Sequence, residues 1–213
     1  TVYDRNPAAA QRAVAAVPGL DVAQSPAELA RAAEIVVTML PSGVEVQEVA
    51  LGDAGLIHGF SEGAVLLDTS SSQPWLTLET AEALAGIGVA MVDAPVSGAQ
   101  IGAQTGELVF MVGAEPDVLE RVRPLFEVLG KQVFHLGGVG AGHSMKCLNN
   151  MITAMTFMVT AEGLAIGKKL GLDPDVMTDV LNVSTGGSWI SQTHIKQRIT
   201  SRTFDDAFKL RLM

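Results

Sequence analysis

Short apolar runs alternate with amphipathic stretches over the first two-thirds of the chain. Five of the runs are continuous and rich in β-branched or other apolar side chains, at residues 35–40, 64–68, 89–93, 108–112 and 132–136. Such runs are typical of strands whose two faces are both covered in a parallel sheet. Helical patterns lie between them, at residues 8–16, 26–33, 74–85 and 116–129. This alternation predicts an α/β fold with a doubly wound parallel sheet.

After Gly142 the pattern becomes helical throughout. Residues 143–170 predict one long helix rich in Ala and Met, which Gly171 ends, and residues 175–183 and 189–200 predict two more helices. We therefore expect an α/β domain at residues 1–142 and the start of an all-helical domain at residues 143–213. The chain opens inside a strand at residues 1–4 and stops after an apolar pattern, so we expect sequence to be missing at both ends.

Composition limits the classes of partner and compartment. Hydrophobic residues make up 48% of the chain and charged residues 17%, which predicts a sizeable core. A net charge of -9 argues against binding to nucleic acid or to an anionic membrane surface. The single cysteine, Cys147, excludes an internal disulfide and a multi-cysteine metal cluster. We therefore expect a cytoplasmic protein with no metal site and no membrane span.

Small, polar, turn-forming residues follow four of the predicted strands, at residues 4–7, 40–43, 68–72 and 93–98. In an open α/β sheet, ligands bind outside the carboxyl ends of the strands, so these segments form a candidate site. Loops in general have this composition, and any one segment is equally typical of an ordinary turn.

Asp4 ends the first predicted strand, where a Rossmann-type domain places the acid that binds the adenosine ribose hydroxyls. The glycine-rich turn that precedes this acid by about 20 residues would fall before Thr1. Arg5 leaves the cofactor open, because an arginine can bind a 2′-phosphate that Asp4 would repel. Both residues are also compatible with a solvated strand end.

The segment from Gly138 to Asn150 joins closely spaced glycines to the predicted long helix. Lys146 and Asn150 are four residues apart and therefore share one face of that helix. Burying an ammonium and a carboxamide without partners is costly, and a substrate oxygen would be one such partner. The alternative is a lysine that reaches solvent along the apolar face, beside a capped asparagine. The spacing alone favours this structural interpretation.

Seven segments, in order, resemble sequence blocks of the 3-hydroxyisobutyrate dehydrogenases, within the wider β-hydroxyacid and 6-phosphogluconate dehydrogenase superfamily. They are VTMLPSG, LLDTSSSQP, VDAPVSGA, GELVFMVGA, GVGAGHSMKCLNNM, TAEGLAIGKKLGLDP and NVSTGGSW. Each block alone is weakly specific, whereas seven in the family's order are strongly so. The resemblance implies a dinucleotide-binding Rossmann-type domain at residues 1–142, without its first βα unit. It also implies a long interdomain helix and a partial helical dimerisation domain at residues 143–213.

The resemblance implies roles for individual residues. Those implied to contact the cofactor are Asp4, Arg5, Leu40, Pro41, Glu45 and Ser71. Those implied to bind the substrate are Ser97 and the Gly98 amide, at its carboxylate, and Trp189, which would close over it. Lys146 matches the catalytic lysine and Asn150 its partner.

Three positions depart from the family pattern. Ser71 stands where threonine is common, Glu45 stands where a neutral residue is common, and Ala99 replaces a usual second glycine, which would narrow the carboxylate site. A second lysine of the helical domain is expected beyond Met213.

The implied reaction is the reversible oxidation of a 3-hydroxy acid, such as 3-hydroxyisobutyrate, to its semialdehyde, as in valine degradation. The implied cofactor is NAD or NADP, with NAD favoured. Lys146 would move the hydroxyl proton, but an ordinary lysine with a pKa of about 10.4 is a poor base at neutral pH, so the role requires burial.

Two other functions remain open, and the resemblance implies an assembly. An NADPH-dependent semialdehyde or tartronate-semialdehyde reductase would suit Arg5. A non-catalytic binding or scaffold member would be expected to lose Lys146, which is present. A homo-oligomer through the helical domain is expected, since residues 151–170 carry apolar side chains all round.

Overall fold

The computed structural model describes residues 1–204, in two compact units that divide between Cys147 and Leu148. The strands are β1 (Ile35–Thr38), β2 (Val65–Asp68), β3 (Ala90–Asp93), β4 (Val96–Ser97), β5 (Leu108–Gly113) and β6 (Gly130–Gly137). The helices of the first unit are α1 (Pro7–Ala16), α2 (Pro26–Arg31), α3 (Gly43–Leu51), α4 (Pro74–Ala85), α5 (Ala99–Thr105) and α6 (Pro116–Leu129). Helix α7 (Ala141–Lys169) begins in the first unit, and α8 (Pro174–Asn182) and α9 (Trp189–Thr193) belong to the second.

The sheet confirms the predicted α/β fold and differs from it in strand direction. Strands β1, β2 and β3 are parallel, and β6 is parallel to β5, as predicted. Strand β5 runs antiparallel to both β3 and β4, so the sheet is mixed. The cause is the short connection of residues 98–107, because a parallel crossover needs about a dozen residues or more.

Two local predictions need correction. The predicted strand at residues 1–4 is a single parallel bridge between Val2 and Val22. The predicted helix at residues 189–200 is split into α9 and a π-helical segment, Ile195–Thr200. At the break, the Thr193 hydroxyl donates to the Trp189 carbonyl at 2.7 Å, a side-chain bond of the kind that bends helices. Helices α3 and α5 were not predicted from the sequence.

The core of the first unit lies on both faces of the sheet. Alternate residues of β2 point to opposite faces, so Leu67 packs with Phe110 and Phe126 while Leu66 packs with Leu84 on the other side. The Phe110 and Phe126 ring centroids are 4.7 Å apart. This burial holds β2 and β3 in the middle of the sheet and fixes where their carboxyl ends lie.

The second unit is helical and has a smaller core. Leu164, Ile190 and Ile195 are buried, with partly buried apolar side chains packed against them. Asp173 caps α8 by accepting hydrogen bonds from the amides of Asp175 and Val176. The sequence predicted the domain boundary between residues 142 and 143. Among the helices of residues 1–204, none is long and apolar enough to cross a membrane.

Candidate active site

The parallel strands bring polar side chains together at one edge of the sheet. Asp68 and Asp93 are the last residues of β2 and β3, and both are fully buried. The Thr38 hydroxyl, at the end of β1, donates to Asp68 Oδ1 at 2.8 Å. The Leu40 amide donates to Ser70 Oγ at 2.9 Å, which joins the loops after β1 and β2. The predicted cluster of strand-end loops is therefore present for these segments.

Lys146 lies on the first turns of α7 and is half-buried. Its Nζ donates to the Val96 carbonyl at 2.7 Å, one residue before Ser97 on β4. Burial lowers the pKa of Lys146 from its ordinary value. Among the described residues no carboxylate pairs with the ammonium. Beside the predicted substrate strand, Lys146 is thus half-buried without a counter-charge, an environment that favours the neutral amine.

Asp93 fixes the beginning of α7. Its Oδ1 accepts from the Gly140 amide at 2.6 Å and its Oδ2 accepts from the His143 amide at 2.7 Å. Burial raises the pKa of Asp93, although these two hydrogen bonds act in the opposite direction. A Cβ at Gly142 would meet the carbonyl oxygens of Met111 and Asp93, so glycine permits this close approach.

His143 is fully buried next to this cap and was given no role in the sequence analysis. Its Nδ1 lies 2.8 Å from the Thr77 hydroxyl on α4, and its Nε2 lies 3.1 Å from the Ser70 carbonyl. Asp68 Oδ2 and Asp93 Oδ2 are 3.7 and 3.6 Å from the two ring nitrogens. One feature of the sequence could have pointed to His143, namely its position one helical turn before Lys146. Within residues 1–204 no group of acidic, histidine or cysteine side chains is arranged to hold a metal ion.

The predicted carboxylate-binding segment lies at the end of β4. Ser97 is half-buried and pairs with Val109 of β5, while Gly98 has φ +122° and leads into α5. Ala99 has φ +51°, in the left-handed region that favours glycine. The alanine therefore occupies a strained backbone position, and Ser97 follows the carbonyl that Lys146 binds.

The predicted cofactor residues lie along the same unit. Asp4 and Arg5 are exposed, and Asp4 Oδ1 accepts from the Asn6 amide at 2.7 Å. Ser71 and Pro41 are exposed as well. The Glu45 carboxylate accepts from the Ser42 hydroxyl at the start of α3, and this hydrogen bond lowers the pKa of Glu45, with a smaller contribution from the charge of Arg5.

These residues fit a dinucleotide in part. An exposed carboxylate at Asp4 suits ribose hydroxyls. Gln73 Oε1, at the start of α4, is buried with no hydrogen-bond partner among the described residues. A ligand N–H or O–H could donate the missing hydrogen bond to this oxygen. The Glu45 carboxylate, already engaged with Ser42, does not favour a phosphate. The individual contacts remain predictions.

Asn150 and Trp189 belong to the second unit. Asn150 lies on α7 four residues after Lys146, and its Oδ1 accepts from Asn149 Nδ2 at 3.4 Å. Trp189 begins α9, is 61% exposed, and packs against His194 with ring centroids 4.6 Å apart. Their roles toward the substrate also remain predictions.

Several known dehydrogenases are similar to this chain over most of its length. Residues 1–137 match the NAD binding domain of 6-phosphogluconate dehydrogenase, and residues 140–213 match the NAD-binding of NADP-dependent 3-hydroxyisobutyrate dehydrogenase. A 3-hydroxyisobutyrate dehydrogenase of Pseudomonas aeruginosa is 38% identical over 92% of this chain and 67% of its own length. An NAD-dependent L-serine dehydrogenase of the same organism is 35% identical over 100% of this chain and 72% of its own length.

A solved structure gives the same result. Mycobacterium tuberculosis 3-hydroxyisobutyrate dehydrogenase, described with L-serine, has a TM-score of 0.82 and 34% identity over 90% of this chain and 64% of its own. This chain spans 72% of the length of that L-serine dehydrogenase and 52% of the length of a mitochondrial 3-hydroxyisobutyrate dehydrogenase of Mus musculus, to which it is 39% identical.

The fold and the strand-end site define an NAD(P)-binding domain of the β-hydroxyacid dehydrogenase class. The chain belongs to the 3-hydroxyisobutyrate dehydrogenase family within it. The predicted family, the α/β fold, and the NAD or NADP cofactor class are thereby confirmed. The prediction of an NAD(P)-dependent hydroxyacid dehydrogenase is confirmed at the level of the family.

Proposed function

We propose that the full-length protein oxidises a 3-hydroxy acid, such as 3-hydroxyisobutyrate, to its semialdehyde, with Lys146 as the acid–base group. The observation that carries the proposal is the Lys146 ammonium, half-buried and bonded to the Val96 carbonyl at 2.7 Å, one residue before Ser97. It supports the proposal because burial lowers the pKa of Lys146 toward the range in which an amine can accept a proton.

The proposed roles follow from the hydrogen-bonding capacity of each group. As a neutral amine, Lys146 keeps one N–H on the Val96 carbonyl and directs its lone pair at the substrate hydroxyl, whose proton it takes. When bound, the nicotinamide supplies the acceptor for the hydride from the carbinol carbon. In the reverse direction the Lys146 ammonium returns the proton to the forming alkoxide.

Binding of the substrate carboxylate is proposed for Ser97 and the Gly98 amide, with Asn150 and Trp189 completing the substrate site. Ser97 Oγ and the Gly98 amide have no hydrogen-bond partner among the described residues, so both are available donors. Asp4 and Arg5 are proposed for the adenosine ribose, and Leu40, Pro41, Glu45 and Ser71 for the rest of the dinucleotide.

The test is a substrate and cofactor panel on the full-length protein. We expect turnover of 3-hydroxyisobutyrate or L-serine with NAD+ or NADP+. Lys146→Met should reduce kcat by about 10²–10⁴-fold, the usual contribution of general acid–base catalysis. Lys146→Arg should not restore activity, because a guanidinium cannot release its proton. Turnover of Lys146→Met within a few-fold of the natural enzyme would refute the assignment.

A second candidate is the reduction of a semialdehyde, such as tartronate semialdehyde, by NADPH. Arg5 favours it, because this exposed guanidinium follows Asp4 directly and offers a partner for a 2′-phosphate. A comparison of kcat/KM for NADPH and NADH, repeated in Arg5→Ala, separates the candidates. Loss of an NADPH preference in that variant supports the reductase.

We further propose that the protein is a cytoplasmic homo-oligomer that serves valine degradation. The exposed apolar side chains of the second unit support self-association, and the single cysteine suits a reducing compartment. Light scattering of the full-length protein gives the oligomeric state, and a monomer at micromolar concentration would contradict it.

A further inference from the structure

His143 is a fully buried titratable side chain that the proposed reaction does not use. Its exposed fraction is 0%, so no substrate reaches the ring. Its two ring nitrogens contact two different elements, the Ser70 carbonyl after β2 and the Thr77 hydroxyl on α4. A third element, β3, holds the His143 backbone amide through the Asp93 carboxylate.

The hydrogen bonds limit the proton positions on this ring. A carbonyl oxygen accepts only, so Nε2 carries a proton toward Ser70. The Thr77 hydroxyl can donate to Nδ1, or it can accept from Nδ1 while donating to the Gln73 carbonyl at 3.3 Å. The charged groups that face the ring are Asp68 from β2 and Asp93 from β3, at 3.7 and 3.6 Å.

The connection to chemistry runs through α7. Lys146 is three residues after His143, about one helical turn further along. The Val96 carbonyl that Lys146 binds lies three residues after Asp93, on the chain that leaves the same strand. Asp93 and His143 therefore fix both the helix that carries the amine and the strand end from which the substrate segment departs.

We propose that the Asp93–His143 pair, together with the Thr77 and Ser70 contacts of the ring, is a positioning device. It fixes the position of Lys146 along α7 relative to β4. Asp93 holds the helix by its first amides, and the His143 ring prevents α7 from rotating or sliding away from α4 and β2. The residues are positioning residues, because both side chains are fully buried and neither is accessible to a substrate. The inference rests on the proposed function of Lys146.

Loss of the His143 contacts would have a defined consequence for Lys146. Lys146 would become more hydrated, and because burial is the cause of its lowered pKa, that pKa would rise toward the ordinary lysine value. Misplacement of a catalytic group by about 1 Å can cost about 10²-fold in rate. A substitution that merely destabilised the fold would lower the amount of active enzyme without moving the ionisation of the folded fraction.

The experiment uses the full-length protein with four substitutions. His143→Leu removes both ring contacts, and His143→Gln keeps an N–H donor for the Ser70 carbonyl. Thr77→Val removes one contact and keeps the imidazole ring. His135→Leu is the matched control, because His135 also bonds backbone carbonyls, those of Ala114 and Gly137, but on β6.

We expect kcat to fall by about 10- to 100-fold in His143→Leu, with partial recovery in His143→Gln. Cofactor Kd, measured by fluorescence, should stay within about two-fold of the control, because the strand-end loops remain folded. An NMR titration of the Lys146 side-chain nitrogen should show a higher pKa in His143→Leu and a smaller rise in Thr77→Val. Because Thr77→Val keeps the imidazole, its result distinguishes a change in the position of Lys146 from the direct loss of a nearby imidazole.

Two outcomes overturn the inference. One is a His143→Leu enzyme whose kcat and Lys146 titration match those of His135→Leu. The other combines two results: His143→Leu loses both cofactor binding and activity, and the pKa of Lys146 is unchanged in Thr77→Val. Together they would mean that the Asp93–His143 pair serves folding only. If Lys146→Met keeps its turnover, the proposed function is refuted. The NMR titration of Lys146 in the His143 and Thr77 variants still tests the positioning separately.

Discussion

In the first unit, apolar side chains are buried on both faces of the sheet, and the buried Asp93 carboxylate accepts hydrogen bonds from the start of α7. In the second unit, a core of Leu164, Ile190 and Ile195 leaves much of the apolar surface exposed. The exposed large side chains on α7 are Met151, Ile152, Met155, Met158, Val159 and Ile166. Among the described residues, Asp93 of the first unit bonds to amides about 50 positions away, whereas the buried side chains of Thr178 and Ser191 in the second unit bond to residues three or four positions away.

That difference matches the two proposed roles, catalysis at the strand ends of the first unit and self-association through the second unit. A buried polar network is costly unless every member is satisfied, and it then specifies a single arrangement. Asp93, His143 and Thr77 form such a network at the strand ends. Exposed apolar surface specifies no internal geometry, but it favours association with another surface.

Helix caps offer the sharpest test of this comparison, because each unit has an aspartate that accepts two amides. Asp93 is buried, whereas Asp173 is exposed. Asp93→Ala should lower the free energy of unfolding by about 3 kcal/mol, since two buried amides lose their acceptor. Asp173→Ala should cost about 1 kcal/mol. Denaturant unfolding measures both, and equal losses would remove the distinction between the units.

Ala99 tests the strain beside the substrate segment. Its φ of +51° is unfavourable for alanine, so Ala99→Gly should raise the free energy of unfolding by up to about 1 kcal/mol. Ala103→Gly, in the interior of the same helix, should instead lower it by about 0.5–1 kcal/mol. The same sign for both substitutions would argue against strain at Ala99.

The exposed face of α7 should give the smallest change in stability. Met155 and Met158 are 62% and 70% exposed, so Met155→Gln with Met158→Gln should alter the free energy of unfolding by about 0.5 kcal/mol or less. Self-association, measured by sedimentation, should weaken in the same protein. A large loss of stability at a concentration where the protein is monomeric would mean that this face packs internally.

The sequence pattern predicted the central strands well because they are buried on both faces. Such strands are continuous apolar runs, as β2 and β3 are, and their polar ends mark the edge where ligands bind. The catalytic role of Lys146 is a prediction from the family blocks, since its spacing to Asn150 favoured a structural lysine. The structure adds the contact with Val96 that neither pattern contained.

The parts that escaped prediction depend on contacts between distant residues. Asp93 and His143 are 50 residues apart, and only the folded sheet brings the carboxylate to the helix amide. The direction of β5 depends on the length of a connection that includes α5, a helix without a clear apolar period. Ala99 looks ordinary in the sequence, and its strain exists only because of its backbone angle.

The central claim is that Lys146, held by the Asp93–His143 pair, exchanges the proton of the substrate hydroxyl. Single-turnover hydride transfer in the full-length protein, at saturating cofactor and hydroxyacid over a range of pH, tests it most directly. Burial lowers the pKa of Lys146 below its ordinary value, so oxidation should accelerate as pH rises through that lowered pKa, and reduction should slow. Lys146→Met should lose this ionisation and be slower by about 10²–10⁴-fold at neutral pH. An unchanged rate and pH profile in Lys146→Met would contradict the account.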